Sequence, residues 1–170
     1  MKRKYWVLLV VCLLVLSLDQ YSKYTVQKNL PLHQRVEVIS GFFNLTHVRN
    51  TGGAFGILGG SLGGMGMVFF VSVSLIAVGA ILFLLRRIRE DEKILALSFS
   101  FVLAGAIGNL IDRLLYGEVI DFLEFYYSSF YWPAFNVADS AICVGIGLMA
   151  VEILLRDHKK NPRSQAPSHK

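Results

Sequence analysis

Two aspartates, Asp121 and Asp139, are the residues of this sequence best suited to acid–base chemistry. Each lies close to a long apolar segment, where carboxylates are costly and a functional use is the default interpretation. Two carboxylates held close together do not both ionise readily, so one of them keeps a proton. The ionised member can then activate water while the protonated member polarises a carbonyl and protonates a leaving amine. Spacing alone leaves an alternative open, in which Asp121 is a solvated loop acid and Asp139 an N-cap.

Other polar residues share helix faces with these acids or with one another. Asn136 and Asp139 are three residues apart, and Asn109 and Arg113 are four apart, so each pair is predicted to lie on one helix face. An arginine near two carboxylates would keep one of them charged. The alternative is that the asparagines only hydrogen-bond helices to each other within the membrane.

Asp19 and Lys23 have the spacing of a helical ion pair, which indicates structural support more than a direct catalytic role. Residues 50–55 read as a sharp turn that enters a glycine-rich stretch. His33 and His47 have no ligand spacing to each other, and no Cys-x-x-Cys occurs, so neither a metal site nor a disulfide framework is predicted.

The elements that must position these residues are apolar segments long enough to span a bilayer, for which about 20 residues are needed. The chain of 170 residues is 54% hydrophobic and 17% charged, with a mean hydropathy of +0.52. Lys2-Arg3-Lys4 and the apolar run after it resemble a signal peptide without a cleavage site, which favours an uncleaved first helix. We therefore predict a membrane all-α fold with one domain, residues 1–157, and a disordered tail, residues 158–170. Its four transmembrane helices are expected at about residues 5–26, 63–85, 94–113 and 135–155.

The basic residues abut the ends of these segments. Most of the 17 lysines and arginines lie at the N-terminus, in the loop of residues 86–93 and in the tail. This is the positive-inside pattern, which predicts both termini in the cytoplasm and does not support nucleic-acid binding.

Two connections are then expected on the outer face. In the first, β-branched and aromatic residues around a Ser-Gly break predict a small β-rich section at about residues 34–50. The second, residues 114–133, is rich in tyrosine and tryptophan and is predicted to be a loop on the membrane surface. We hypothesise that the aromatic loop and the glycine-rich stretch act as a lid.

Five motifs, in order along essentially the whole chain, are similar to those of the bacterial lipoprotein signal peptidases, the type II signal peptidases. Departures are small: Gly53 stands where alanine is common in that family, and Ile111 where an aromatic residue is frequent. The motifs are Leu18-Asp-Gln20 with Lys23, Arg49-Asn-Thr-Gly-Gly-Ala-Phe55, Gly105-Ala-Ile-Gly-Asn-Leu-Ile-Asp-Arg113, Val119-Ile-Asp-Phe122 and Pro133-Ala-Phe-Asn-Val-Ala-Asp-Ser140.

The resemblance implies an aspartic endopeptidase that cleaves prolipoprotein signal peptides just before a diacylglyceryl-modified cysteine. It implies Asp121 and Asp139 as catalytic residues, no metal or other cofactor, and a β-rich cradle beside the active site. The expected location is the bacterial inner membrane, with the active site at its outer face, membrane lipids around it and a monomeric state. Positions implied to support the active site are Asp19, Lys23, Asn50, Gly52, Asn109, Arg113, Asn136 and Ala138.

Two rival functions remain at this point. Intramembrane acids also occur in transporters and proton relays, but here the acids gather at one interface, with only Glu152 towards the other side. A scaffold protein whose polar residues only join helices is the second rival. Substitution of Asp121 or Asp139 by asparagine distinguishes these two functions from that of a peptidase, because a peptidase should lose its cleavage activity.

Overall fold

Four helices long and apolar enough to cross a membrane dominate the structure. It is a computed structural model and describes residues 2–53 and 65–160. A small four-stranded sheet accompanies the helices, so the predicted fold class is confirmed. The helix bounds differ from the predicted ranges by a few residues at each end. The helices are α1 (Arg3–Asn29), α2 (Gly66–Arg87), α3 (Lys93–Tyr116) and α4 (Val137–Lys160).

Helix α3 is the centre of the bundle and packs against each of the other three helices. In its most apolar stretch 56% of the residues are buried, against 11–17% in the other helices. The apolar side chains of α1, α2 and α4 therefore point mostly outward, as they must in a bundle whose solvent is hydrocarbon.

Glycines allow α3 and α4 to approach closely. A Cβ atom on Gly105 would lie 2.3 Å from the carbonyl oxygen of Ala138, and one on Gly145 would lie 2.7 Å from that of Ser98. Small residues at such crossings are typical of membrane helices, where close van der Waals packing replaces the hydrophobic effect. This close approach places the start of α4 beside the last turns of α3.

The sheet lies in the two connections at one end of the bundle. Its strands are antiparallel in the order β1 (Arg35–Ile39), β2 (Phe43–Asn50), β3 (Val119–Tyr127) and β4 (Phe130–Tyr131). The pair β1 and β2 occupies the section expected to be β-rich. The expectation of a loop over residues 114–133 was wrong, because β3 in this segment pairs along β2 and β4 extends the sheet.

Gly117 makes the turn from α3 into β3 possible. It has φ +77°, and its N–H donates to the carbonyl of Arg113 as a left-handed helix cap. Val119 begins β3 two residues later, so the strand that carries Asp121 is attached directly to the central helix.

A buried carboxylate cross-links the sheet. The Glu124 side chain of β3 accepts two hydrogen bonds from Arg35 of β1, at 2.7 and 2.9 Å, and one from Asn44 of β2, at 3.1 Å. The Arg35 guanidinium also lies over the Tyr131 ring, 5.0 Å from its centroid. All four strands are thereby connected through one charge-paired centre.

At the opposite end of the bundle, basic side chains connect the helices to one another. Buried Lys4 of α1 donates to the carbonyls of Arg86 and Ile88 at the end of α2, at 3.1 and 2.7 Å. Arg156 of α4 pairs with Glu92 beside the start of α3, at 2.6 Å. The first residues of α1 and the end of α4 therefore lie at the same end of the molecule.

Candidate active site

Asp139 enters the site through the first turn of α4. Asn136 precedes the helix, and its Oδ1 accepts the backbone N–H of Asp139 at 2.9 Å. In return, Asp139 Oδ2 accepts the backbone N–H of Asn136 at 3.2 Å. This reciprocal pair is a capping box, which fixes the Asp139 side chain at the helix start. The N-cap considered from the sequence is therefore Asn136, and Asp139 is its partner three residues later.

Asp121 is carried by the buried half of β3. Its Oδ1 accepts from the Asn136 amide at 2.7 Å, and its Oδ2 accepts from the Asn50 amide at 3.0 Å. The residue is only 2% exposed, so it is not the solvated loop acid of the alternative interpretation. Burial, and next the nearby charge of Asp139, raise the pKa of Asp121 to about 7, against the opposing effect of its two amide donors.

Asn136 connects the two acids. Its side-chain amide reaches Asp121 on β3, while its backbone N–H reaches Asp139 on α4. The same amide also lies 3.1 Å from Asn109 Oδ1 and 3.3 Å from the carbonyl of Ile120. A single residue before α4 is thus hydrogen-bonded to both carboxyl groups.

Asn109 of α3 holds the other oxygen of Asp139. Its amide donates to Asp139 Oδ1 at 2.7 Å, and its own Oδ1 accepts from the Lys23 ammonium at 3.2 Å. Because an amide oxygen accepts and its nitrogen donates, the lysine orients the asparagine with its N–H₂ towards the carboxylate.

Arg113 and the turn after β2 form one wall of the site. Arg113 donates to the carbonyls of Gly52, at 2.9 Å, and Asn109, at 3.3 Å, and its guanidinium lies 5.4 Å from the centroid of the Phe70 ring. Asn50 closes the turn, because its Oδ1 accepts the Gly52 N–H at 2.8 Å and its amide donates to the Gly53 carbonyl at 3.1 Å. The predicted sharp turn is observed as far as Gly53. Residues 54–64 of the glycine-rich stretch lie outside the described residues, so the lid hypothesised for this stretch and the aromatic segment stays a prediction.

Asp19 and Lys23 form the expected ion pair at 2.8 Å, but it extends to a third residue. Lys23 also pairs with Asp112 of α3 at 2.8 Å, and Asp19, Lys23 and Asp112 are each no more than 2% exposed. Gln20 donates to Asp19 at 3.1 Å and to Asp112 at 3.0 Å. Gln20 and Asp112 were not among the predicted site residues. A carboxylate within an apolar helical segment, one residue before Arg113, was the signal that could have identified Asp112.

An open cleft of about 250 Å³ lies between α2, α3 and α4. Its polar end presents Asp139, Asn109, Asn50 and Arg113, and its other end is apolar. A peptide group and a water molecule can meet Asp139 there, while an apolar part of the same ligand lies between the helices. The lining residues are Asn50, Gly53, Phe70, Val73, Ser74, Ala77, Ala106, Asn109, Arg113, Val119, Asp139 and Ile142.

All ten residues named from the sequence lie at the end of the bundle that carries the sheet. Ala138 is fully buried, and its N–H donates to Asp19 Oδ1 at 2.8 Å. His47 lies apart, with its Nδ1 2.8 Å from the carbonyl of Leu30, and its Nε2 is buried without a hydrogen-bond partner among the described residues. Within residues 2–53 and 65–160 no three potential metal ligands converge. The catalytic and supporting roles of the ten residues stay predictions.

Comparison with known proteins gives one consistent family. The family model described as "Signal peptidase (SPase) II" matches residues 11–155. Among curated relatives, the lipoprotein signal peptidase of Syntrophus aciditrophicus is 44% identical over 95% of this chain and all of its own length. That of Geobacter metallireducens is 43% identical, covering 96% of this chain and 99% of the relative. That of Maridesulfovibrio salexigens is 49% identical, covering 87% and 95%.

Solved structures agree with the sequence relatives. One bacterial membrane enzyme superposes with a TM-score of 0.77 at 30% identity, covering 96% of this chain and 93% of the other. A second bacterial membrane enzyme superposes with a TM-score of 0.74 at 33% identity, covering 86% and 92%.

Proposed function

The chain belongs to the signal peptidase II family, and we propose that it removes signal peptides from prolipoproteins by aspartic catalysis at Asp121 and Asp139. The observation that carries the proposal is the buried asparagine framework, in which Asn136, Asn109 and Asn50 hold these two carboxyl groups, with Asp139 lining the cleft. Asparagine amides donate without adding charge, so the pair can hold a single shared proton.

The chemistry follows from that shared proton. With the pKa of Asp121 raised to about 7, the pair carries one proton over a pH range that includes neutrality. The ionised carboxylate takes a proton from a water molecule, whose oxygen attacks the peptide carbonyl carbon. The protonated carboxyl group hydrogen-bonds the carbonyl oxygen, and a proton is then delivered to the leaving amine. The scissile C–N bond breaks, and one water molecule is consumed for each peptide bond cleaved.

We propose that the substrate cysteine carries a diacylglyceryl group. The cleft that Asp139 lines also has an apolar wall, which includes Val73, Ala77 and Ile142, all within the membrane-spanning helices. A substrate held by acyl chains in the bilayer keeps those chains in hydrocarbon while its peptide bond reaches Asp139. The bond cleaved is proposed to be the one immediately before the lipidated cysteine.

Location and topology complete the proposal. We propose that the enzyme lies in the bacterial cytoplasmic membrane as a monomer, with both termini inside and the sheet outside. The basic residues at the end opposite the sheet, among them Lys4, Arg86 and Arg87, support this orientation. A proton relay is not supported by the described helices, because their acids lie only near the two ends of the bundle.

Purified enzyme in detergent with a diacylated precursor peptide tests this function. Asp121→Asn and Asp139→Asn should each lower kcat by about 10²- to 10⁴-fold, because the remaining carboxyl group cannot be the ionised base and the protonated acid at the same time. Glu152→Gln, which removes a carboxylate at the opposite end of the bundle, should cleave at the rate of the unmodified enzyme. Full activity of either aspartate variant would contradict the assignment, and equal cleavage of a non-lipidated peptide would contradict the proposed substrate.

A further inference from the structure

The buried ion cluster of Asp19, Lys23 and Asp112 has two contacts that the ion pairs themselves do not require. Asp112 Oδ2 accepts the backbone N–H of Ile120 at 3.1 Å. Asp19 Oδ1 accepts the backbone N–H of Ala138 at 2.8 Å. Ile120 immediately precedes Asp121, and Ala138 immediately precedes Asp139. Each acid of the cluster therefore holds the backbone one residue before one of the proposed catalytic acids.

The lysine ties these two contacts to each other. The Lys23 ammonium lies 2.8 Å from a carboxylate oxygen of Asp19 and 2.8 Å from one of Asp112. Its third hydrogen-bond partner is Asn109, whose amide donates to Asp139. The three hydrogens of the ammonium are thus directed to three acceptors, and none is available to a substrate.

Close packing surrounds this cluster. A Cβ atom on Gly108 would lie 2.7 Å from Asp19 Oδ2, so the carboxylate occupies space that a side chain on α3 would fill. Gln20 spans the two acids from the other side, through Asp19 Oδ2 and Asp112 Oδ1. Buried charges are expensive unless they are paired and hydrogen-bonded, and here every carboxylate oxygen of the cluster has a donor.

We infer that the Asp19–Lys23–Asp112 cluster is a positioning device that sets the relative placement of Asp121 and Asp139 through the backbone amides of Ile120 and Ala138. The two proposed catalytic acids come from different elements, a strand and a helix. A common charged support, fixed to α1 and α3, locates both of them from outside the cleft. A misplacement of about 1 Å in an active site lowers the rate roughly 100-fold, so this inference, which rests on the proposed function, predicts an effect on turnover.

Two substitutions at Asp112 distinguish the loss of the hydrogen-bond acceptor for the Ile120 N–H from the loss of the negative charge. Asp112→Asn retains an oxygen that can accept the Ile120 N–H, and the amide nitrogen can face Gln20, whose own amide can rotate to accept. Asp112→Leu has the same branching at Cγ, with a larger volume, but offers no acceptor. Both leave Asp19 and Lys23 as a neutral pair. We expect Asp112→Asn to keep kcat within about tenfold and Asp112→Leu to lose roughly 100-fold in kcat, with KM changed less than about twofold in both.

Hydrogen exchange at the Ile120 amide supplies a readout that does not depend on activity. The amide should stay protected in Asp112→Asn and exchange faster in Asp112→Leu. The same design at the other contact, Asp19→Asn against Asp19→Leu, should change the Ala138 amide in the same manner. Glu152→Gln is the matched control, because Arg156 also pairs with two carboxylates, Glu152 and Glu92.

Three results would overturn the inference. One is a native kcat in both leucine variants. A second is equal losses of kcat in the asparagine and leucine variants. The third is a loss that appears in KM or only in thermal stability. Failure of the unmodified enzyme to cleave a diacylated precursor would instead refute the proposed function, and the exchange measurements would still decide whether the cluster holds these two amides.

Discussion

At the residue scale, the site is distinguished by neutral donors around the two acids. Asp121 and Asp139 accept hydrogen bonds from the side-chain amides of asparagines and from a backbone N–H. Among the described residues, the Lys23 ammonium contacts Asn109 and not the two acids themselves. A cation in direct contact would favour both carboxylates in the ionised form. Amide donors hold the geometry and still permit one carboxyl group to keep its proton.

The raised pKa of Asp121 predicts a cost in stability. Because the folded-state pKa of about 7 exceeds the ordinary value of 3.8, the folded protein binds the proton more tightly than the unfolded chain. The associated stability is present below about pH 4 and is lost as the pH rises through 7. Asp121→Asn should therefore increase the free energy of unfolding by about 1–3 kcal/mol at pH 8 relative to the unmodified enzyme, and by much less at pH 4. Thermal unfolding in detergent at the two pH values measures this, and an equal change at both would contradict it.

The same pKa predicts the form of the activity profile. Turnover should pass through a maximum between two macroscopic pKa values that belong to the pair, and it should fall as the pH rises above the value near 7, where the shared proton is lost. The measurement is kcat against pH with a saturating diacylated peptide. A rate that is constant across pH 5–9 would exclude proton sharing.

Asn136 is expected to be the most sensitive of the asparagines. Asn136→Ala removes the N-cap of α4 and the amide that joins Asp121 to the helix start. Loss of the cap should lower the stability by about 1 kcal/mol, whereas the misplaced pair should lower kcat by at least roughly 100-fold. Asn29→Ala, which removes a surface hydrogen bond at the end of α1, is the control. Retention of more than a tenth of kcat in Asn136→Ala would show that the asparagine does not join the acids.

At the element scale, the site depends on how closely α3 approaches its neighbours. Gly105 leaves room for the backbone of α4, Gly145 for that of α3, and Gly108 for the carboxylate of Asp19. Helix α3 continues through Gly117 into the strand of Asp121. A helix, its C-terminal turn and the strand after it thereby act as one rigid support. The two proposed catalytic acids are held by this support and by the start of α4.

A methyl group at Gly108 tests that close approach. In Gly108→Ala the added carbon would lie 2.7 Å from Asp19 Oδ2 and 3.1 Å from Ala138 Cβ, so both neighbours must move. We expect a loss of about 1–3 kcal/mol in stability and a fall in kcat. Gly79→Ala on α2 is the matched control, because its Cβ would meet nothing within 4 Å. Equal stabilities of the two variants in thermal unfolding would contradict the packing argument.

At the scale of the whole molecule, the polar and charged contacts between elements lie at the two ends of the bundle. One end carries the sheet, the asparagine framework and the buried ion cluster, and the other carries basic side chains that cap α2 and pair with Glu92 and Glu152. Between them the outward faces of the helices are apolar, as exposed Leu13, Val68, Ile76 and Ile146 show. A protein built in this manner presents its reactive groups at one membrane interface.

The orientation of the bundle gives a prediction for intact cells. With Cys12 and Cys143 replaced by serine, Ser40→Cys in the turn between β1 and β2 should react with a membrane-impermeant thiol reagent added outside. Lys2→Cys and Arg89→Cys, at the opposite end, should react only after the membrane is permeabilised. All three positions are exposed, so access is decided by the membrane alone. Labelling of Lys2→Cys in intact cells would reverse the proposed topology.

The amino-acid sequence by itself determined the helices, the family and the candidate acids. An apolar segment about 20 residues long satisfies its backbone hydrogen bonds in a bilayer by forming a helix, so length and composition were sufficient to predict the four transmembrane helices. The ordered motifs predict Asp121 and Asp139 as the catalytic acids and name the residues expected to support them. The β1 and β2 section was recognisable because β-branched and aromatic residues surround a turn within a few residues of each other.

Only the tertiary structure decided what joins these residues. The sequence alone does not reveal strand β3, because its pairing with β2 links residues about 70–80 positions apart and its aromatic residues also suit a membrane interface. The buried contacts of Asp112 and the bridging role of Asn136 likewise depend on atoms from α1, α3, β3 and α4 meeting in space. Sequence spacing is informative along one helix or strand, whereas a site assembled from several elements is decided by how they pack.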